Sequence, residues 1–262
     1  MPFLARDGAE LYYEVHGEGP ALIFAHGAGG NHLSWWQQVP RFRSGYRCIT
    51  FAHRGFAPST DVPGGPGRDA FVDDLAALID HLDLPEVRLV AQSMGGWTAL
   101  GYALRFPNRV RALVMASTTG GVAPLLSDDE LARLRAGQPT REEILARGGM
   151  PGHERLEREQ PALFYLYRGI TTFRDAHGGP PGFGAGNRPP VPPEALAALT
   201  MPVLCLAGEE DNVALPPALA ALAKRVPNGR YVSVQRAGHS VYFERAEEFN
   251  RILDGFLVEV GA

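Results

Sequence analysis

Residues 87–103 read VRLVAQSMGGWTALGYA, and this stretch decides the fold. Its first five residues form an apolar run typical of a buried strand, and the residues from Gly95 onward are typical of a helix. Ser93 lies at the junction, with Ala91 and Gly95 as small residues two positions away on either side. A serine at such a tight turn projects its hydroxyl above the sheet edge, and the crowding requires small neighbours. Amides at the start of the following helix point to the same place, where they can hold an oxyanion.

The composition limits the class of protein. The chain has 262 residues, which is enough for one large domain, and it is 45% hydrophobic and 21% charged. These values are ordinary for a globular enzyme. The net charge is -4 and Lys224 is the only lysine, so we expect no nucleic-acid partner. Cys48 and Cys205 lie in apolar strand-like runs, and we expect buried free thiols rather than a disulfide or a metal site.

The sequence leads us to expect neither a signal peptide nor a membrane span. The N-terminus lacks a basic region followed by a long apolar stretch, and no apolar run approaches the ~18 residues of a membrane span. We therefore expect a cytoplasmic protein without membrane contact. The oligomeric state stays open.

The chain alternates strand-like and helix-like segments over its first part. Predicted strands cover 11–15, 21–25, 46–51, 87–91 and 110–116, and predicted helices cover 69–82 and 95–106. After a helical stretch the alternation resumes with strands at 202–208 and 231–235 and helices at 217–226 and 246–260. This pattern predicts an α/β fold with a mostly parallel sheet that is covered on both faces.

Residues 121–199 interrupt the alternation. They contain capping-box patterns at Ser127 and Thr140, an aromatic-rich helix over 161–173 and a loop rich in Gly and Pro over 177–193. We interpret residues 1–120 and 200–262 as one core domain and residues 121–199 as a helical cap inserted into it.

Ser93 needs a base and an orienting acid, because a serine hydroxyl alone is a poor nucleophile. His239 directly follows the last predicted strand, from where its imidazole can reach over the sheet edge. Asp211 follows the preceding strand, although Glu209 and Glu210 are adjacent acids. Ser117, Thr118 and Thr119 directly follow the 110–116 strand and include no carboxylate, which favours Asp211. The chain order Ser93, Asp211, His239 is the order of a Ser-acid-His triad in an α/β sheet.

An oxyanion also needs two backbone donors. The amide of Met94, next to the nucleophile, is the first candidate. The loop His26–Gly30 follows the strand 21–25, and its glycines allow a close approach of backbone to a carbonyl. We expect the second amide to be that of Ala28, whereas His26 is expected to bond the loop backbone.

Five segments in this order resemble the α/β-hydrolase fold superfamily, in its small esterase, lactonase and cofactor-free haloperoxidase-like branch. They are 26–30, 53–59, 91–96, 208–211 and 238–240. The resemblance implies an eight-stranded, mostly parallel sheet with a helical cap after the sixth strand, and hydrolysis of an ester-like bond. We expect no cofactor and no metal. The chain departs from the usual pattern at Ala91, Ala52 and Ala57, which leaves the three candidate catalytic residues intact.

Several functions fit this pattern. The first is a serine hydrolase that cleaves a small-molecule carboxylic ester or lactone through an acyl-enzyme. Carbon–carbon bond hydrolysis, thioester hydrolysis and perhydrolysis use the same triad, and a ligand receptor on a hydrolase scaffold is an alternative of another class. Trp97 and Tyr165 are candidate substrate-binding residues. Tyr165 and Tyr167 lie on different faces of a helix, so at most one of them can face the substrate.

Overall fold

The computed structural model describes residues 2–138, 140, 143, 153–172 and 189–261. Its strands are β1 (Phe3–Arg6), β2 (Ala9–His16), β3 (Ala21–Ala25), β4 (Arg47–Phe51), β5 (Val87–Gln92), β6 (Val110–Ala116), β7 (Val203–Gly208) and β8 (Gly229–Val234). The helices of the described residues are α1 (Val39–Phe42), α2 (Phe71–His81), α3 (Gly95–Arg105), α4 (Asp128–Arg135), α5 (Glu154–Glu159), α6 (Pro161–Thr172), α7 (Pro216–Arg225), α8 (Val241–Glu244) and α9 (Ala246–Glu259). Short 3-10 turns cover His32–Trp35, Gly67–Ala70, Pro107–Arg109 and Pro193–Ala198.

The strands form one eight-stranded sheet in the order β1-β2-β4-β3-β5-β6-β7-β8. β2 is antiparallel to both of its neighbours, and all other neighbouring strands are parallel. The eight-stranded, mostly parallel sheet is therefore confirmed. The chain runs outward from β3 to β4 in one direction and from β5 to β6 in the other. In open α/β sheets a ligand binds at the carboxyl ends of the strands beside such a reversal, which here are β3 and β5.

Neighbouring residues of β3 face opposite sides of the sheet, because successive side chains of a strand alternate. Ile23 packs into an apolar cluster with Leu75 of α2 and Leu100 of α3. Leu22 packs into a second cluster with Phe249 of α9. Helices therefore cover both faces of the sheet, as the near-continuous apolar strands predicted.

Two local features differ from the sequence prediction. β1 was not predicted, and it pairs with β2 through a turn at Asp7 and Gly8, where φ is 49° and 79°. Positive φ at both positions is the two-residue hairpin geometry that Asp-Gly favours. The predicted helix over 69–82 begins at Phe71, because the residues Gly67–Ala70 form a 3-10 turn.

In chain order α4, α5 and α6 lie between β6 and β7. The capping box at Ser127 is confirmed, since Ser127 Oγ accepts from the Glu130 amide and Glu130 accepts in return. Thr140 and Glu143 exchange the same pair of hydrogen bonds, of 2.7 and 3.2 Å. Phe173, the predicted end of the aromatic-rich helix, and most of the predicted loop 177–193 lie outside the described residues.

Candidate active site

Ser93 directly follows β5 and has a φ of 49°, in the left-handed region where a residue with a side chain is strained. The turn is held by hydrogen bonds from the Ser93 amide to the Ala116 carbonyl (3.1 Å) and from the Gly96 amide to the Ser93 carbonyl (2.9 Å). A Cβ on Gly95 would lie 2.3 Å from the Ala25 carbonyl oxygen. The turn is therefore tight and strained, and glycine is required beside it.

The imidazole of His239 lies between Ser93 and Asp211. Its Nε2 is 2.9 Å from Ser93 Oγ, and its Nδ1 is 3.0 Å from each carboxylate oxygen of Asp211. Asp211 Oδ1 also accepts from the amides of Val213 and Ala214, both at 2.9 Å. Because a carboxylate only accepts, the proton of the neutral imidazole is on Nδ1, and Nε2 is left to accept from the serine hydroxyl. The structure thus brings together the three side chains that the sequence singled out.

The pKa of His239 is raised above its ordinary value by charges behind the ring. Burial alone would lower this pKa, because a cation loses hydration in the interior. The charge of Asp211, the hydrogen bond to it and the charge of Glu244 together outweigh burial. A raised pKa makes the imidazole a stronger base, and it also means that the ring is protonated and cannot accept a proton when the pH is low.

Ala28 and Met94, the predicted oxyanion donors, contact one small apolar cluster that also contains Phe56 and Phe71. In the described part of the chain, neither of their amides donates a backbone hydrogen bond to another residue. Two amides that are left unpaired beside Ser93 are what an oxyanion site requires. Their role stays a prediction.

His26 holds the loop that carries Ala28. Its Nδ1 is 2.7 Å from the Gly27 carbonyl oxygen, and its Nε2 accepts from the His53 amide at 2.9 Å. Burial lowers the pKa of His26 to about 4, despite the bond to Gly27, and burial also lowers the pKa of His53. Both rings are therefore neutral. The expectation that His26 bonds the loop backbone is confirmed.

A cavity of ≈ 240 Å³ opens beside Ser93 and His239, and Trp97 lines it. A role of Trp97 in substrate binding stays a prediction. Arg68 lies over the Trp97 ring at 4.5 Å from its centre. Tyr165 does not line this cavity, so that prediction is corrected. It is 65% exposed, because Phe164, Tyr167 and Ile170 form the buried face of α6. A larger groove of ≈ 740 Å³ lies elsewhere and does not include Ser93.

Comparisons with known proteins identify the family of this fold. The family model for the alpha/beta hydrolase fold matches residues 20–139. BpoC of Mycobacterium tuberculosis, a candidate non-heme bromoperoxidase, is 31% identical over 96% of this chain and 99% of its own length. The chain belongs to the α/β-hydrolase fold family. It is an α/β-fold hydrolase, as the sequence predicted.

More distant relatives of this hydrolase carry other names. The 3-oxoadipate enol-lactonase 2 of Acinetobacter baylyi is 28% identical over 97% of this chain and 95% of its own. A solved structure of a thermophilic esterase from Thermogutta terrifontis has a TM-score of 0.80 at 27% identity, covering 99% of this chain and 97% of that one. The structure of Est816, named as an N-acyl homoserine lactone degrading enzyme, has a TM-score of 0.78 at 27% identity, covering 97% and 100%.

One residue that contacts the candidate site was not predicted from the sequence. Glu244 is 5% exposed and its carboxylate accepts from the amides of Gly238 and Ser240, at 3.0 and 3.1 Å. These two amides flank His239. Glu244 therefore holds in place the loop 235–240 that carries His239, here called the histidine loop. Burial raises the pKa of Glu244 to about 6, although both amide bonds lower it. The only sequence signal was an acid five residues after the histidine, and most acids at such positions are exposed.

Ser240 connects the histidine loop to the segment between β6 and β7. Its hydroxyl donates to Tyr167 Oη at 3.0 Å and lies 2.9 Å from His153 Nε2. The rings of His153 and Tyr167 are stacked with their centres 4.5 Å apart, and all three residues are buried. Burial raises the pKa of Tyr167 to about 12, so its hydroxyl stays protonated. His153, which precedes α5, and Tyr167 of α6 thereby contact the residue that follows His239.

Two further observations concern ligands and membranes. Among the described residues, no group of three or more His, Cys, Asp or Glu side chains is arranged to hold a metal ion. Within the same residues, no helix combines the length and the apolar character that crossing a bilayer requires. Cys48 and Cys205 are buried free thiols, as predicted.

Proposed function

We propose that this hydrolase cleaves a small-molecule carboxylic ester or lactone, with Ser93 as nucleophile, His239 as general base and Asp211 as the orienting acid. The observation that carries the proposal is the continuous chain of hydrogen bonds from Ser93 Oγ to Asp211, which lies beside a cavity. A nucleophile, a base and an orienting group in mutual hydrogen-bond contact are the arrangement that acyl transfer requires.

In the proposed reaction, Ser93 Oγ attacks the carbonyl carbon while its proton moves to His239 Nε2. The imidazolium is stabilised by Asp211, and it then gives the proton to the departing alcohol oxygen. The acyl group stays on Ser93 as an ester. Water attacks this ester, its proton passes to His239, and the carboxylic acid leaves as the serine hydroxyl is restored.

The amides of Ala28 and Met94 are proposed to hold the oxyanion of each tetrahedral intermediate. Support comes from their contact with one apolar cluster next to Ser93 and from the absence of other backbone partners within the described residues. Loss of one such donor typically costs about 3 kcal/mol of transition-state stabilisation. The neutral His26 and His53 would keep the loop in place without placing a second positive charge beside the oxyanion.

The names of relatives support an ester or lactone as the substrate. One relative is an enol-lactonase, and two solved structures belong to an esterase and to an enzyme that degrades an N-acyl homoserine lactone. A relative at 26% identity is named a bifunctional esterase/perhydrolase, so perhydrolysis is the second candidate. Each of these activities uses a carbonyl that a serine can attack.

We further propose that residues 121–199 form a cap over the cavity and that the core comprises residues 1–120 and 200–262. Leu131 and Arg135 of α4 line the same cavity as Ser93, and α5 and α6 contact the histidine loop through Ser240. A cytoplasmic location is retained as a prediction from the sequence.

Hydrolysis of a 4-nitrophenyl ester by the full chain and by Ser93→Ala tests the proposal. We expect the substitution to lower kcat at least about a thousandfold, and an alkyl fluorophosphonate to label Ser93 in the unaltered protein only. The matched control is Ser44→Ala, which changes an exposed serine and should keep full activity. Equal turnover by Ser93→Ala would overturn the proposal.

A panel of esters, lactones, thioesters and carbon–carbon substrates then ranks the candidate activities by kcat/KM. A turnover number of about 1 per second or more on any of them argues against a ligand receptor. Turnover far below that value on the whole panel would favour the receptor instead.

A further inference from the structure

Arg135 is the only residue with a permanent charge among the described residues that line the cavity of Ser93, and none of these residues is acidic. The other polar side chains that line the cavity include the hydroxyls of Thr118 and Thr119. Hydroxyls can donate to an anion and do not repel it. The described lining of the cavity therefore has one cationic position and no carboxylate that would neutralise it.

The helix α4 directs Arg135 to this cavity. Leu131 lies one turn earlier, and residues four apart lie on the same face of a helix. Both line the cavity, whereas Arg133 does not, and its Nε donates to the Asp129 carbonyl oxygen. Within the described residues, the side chain of Arg135 has no ion pair and no hydrogen bond. Arg155, in contrast, is paired with both Glu159 and Glu210.

We propose that Arg135 binds a free carboxylate of the substrate, so that the preferred substrates are esters or lactones that carry a second, anionic group. The proposal rests on the proposed function, because it places the carbonyl of the same substrate at Ser93. A guanidinium matches a carboxylate with two parallel hydrogen bonds. Among the described residues that line the cavity no acid competes for Arg135, so that contact is open to a substrate group.

The expected preference is moderate because Arg135 is exposed. Water and salt screen a surface pair, whereas a hydrogen bond to a charged group in a partly closed cavity is worth more. We expect the anionic substrate to have a kcat/KM about tenfold higher than a neutral one of equal shape, which corresponds to about 1.4 kcal/mol. Added salt should reduce this ratio, because the interaction is between charges near the surface.

The test compares pairs of substrates that differ only in charge. One series consists of the monoethyl esters of the linear diacids from succinate to suberate, each against the ester in which a carboxamide replaces the carboxylate. A second series puts the charge on the alcohol side, with the O-acetyl ω-hydroxy acids against their carboxamides. The measured quantity is the ratio of the two kcat/KM values in each pair, for the unaltered protein, Arg135→Gln and Arg133→Gln. If a variant contains less folded protein, both kcat/KM values of a pair fall by the same factor, so their ratio does not change.

We expect at least one pair to show a ratio of about ten or more, which Arg135→Gln brings close to one and Arg133→Gln keeps. A ratio near one in both series, or a ratio that Arg135→Gln leaves unchanged, would overturn the proposal. If no ester in either series is hydrolysed in a Ser93-dependent way, the proposed function fails instead. In that case, calorimetry with the free diacids tests carboxylate binding by Arg135 separately from catalysis. Binding that Arg135→Gln abolishes supports the site. Binding that is absent, or that Arg135→Gln leaves unaffected, contradicts it.

Discussion

Glu244→Gln removes a negative charge from behind His239 and nearly preserves the shape of the side chain. The glutamine has one acceptor oxygen, so one of the two amides that flank the histidine loses its partner. A buried amide without a partner costs about 1–3 kcal/mol. The substitution also removes a carboxylate whose pKa is raised from 4.5 to about 6, and this shift corresponds to a cost of about 2 kcal/mol for the charged form.

These two effects on stability oppose each other. A group whose pKa is raised on folding stabilises the protein below its unfolded pKa, and that contribution is lost as the pH rises through the folded value, here about 6. At neutral pH the unaltered protein therefore carries the cost of a buried charge that the glutamine lacks. The free energy of unfolding is expected to change little, so it cannot measure what Glu244 does for His239.

The pH dependence of activity can measure it. Two charges in contact at an effective dielectric constant of about 20 interact by about 4 kcal/mol, and the interaction falls with distance. Glu244 bonds the amides on either side of His239 rather than the ring itself. We therefore take the interaction between the Glu244 and His239 charges as about 1–2 kcal/mol, which corresponds to roughly one pKa unit. The Glu244 charge raises the pKa of His239, and its removal should lower that pKa by this amount.

The assay measures kcat/KM for a neutral ester as a function of pH. The fall of kcat/KM at low pH, here called the acid limb, reports the pKa of the general base in the free enzyme. Glu244→Gln should shift the acid limb to lower pH by about one unit. Glu244→Asp keeps the charge but is too short for both amides, so it should lower kcat and move the limb less. Glu247→Gln removes an exposed charge on α9 and should leave the limb in place. Acid limbs of Glu244→Gln and the unaltered protein that coincide would refute the reasoning.

Three further predictions concern stability and the histidine loop. Asp74→Asn takes one of two paired carboxylates from the fully buried Arg54 guanidinium and leaves Asp61 at 3.2 Å, so urea unfolding should show a loss of about 2–3 kcal/mol; a loss under about 1 kcal/mol contradicts a buried ion pair. Tyr167→Phe deletes the acceptor of the Ser240 hydroxyl and should lower the free energy of unfolding by about 1 kcal/mol without moving the acid limb of kcat/KM. Ser117 Oγ is buried and has no partner within the described residues, so Ser117→Ala should be as stable as the unaltered protein or more stable in a thermal melt, and a clear decrease in Tm would reveal a hidden bond.

The central strands could be predicted because they are buried on both faces. β3 and β6 have the predicted bounds, since a continuous apolar run ends where the sheet ends. β1 has four residues, and their burial alternates between exposed and half-buried, so its pattern is weak. The Asp7-Gly8 pair was the available signal, because it favours a two-residue hairpin. An edge strand thus had to be found from its turn rather than from its hydrophobicity.

The residues of the candidate site also differ in how far the sequence could predict them. Ser93, Asp211 and His239 each follow a strand, so chain order and strand ends were enough to bring them together. Glu244 and His153 depend on tertiary burial instead. His153 meets Ser240 across 87 residues of sequence, and no local pattern encodes such a contact. Their polar types alone are more typical of exposed positions.

The proposed reacting groups and the proposed substrate contact come from different parts of the chain. Ala28, Ser93, Asp211 and His239 follow β3, β5, β7 and β8, whose parallel pairing places their carboxyl ends at one edge of the sheet. Arg135 belongs to α4, outside the sheet. Because the sheet fixes the hydrogen bonds among the reacting groups, a substitution on α4 can change which ester is bound while these bonds persist. Specificity should therefore vary through KM with residues of α4, and kcat with the loops at the strand ends.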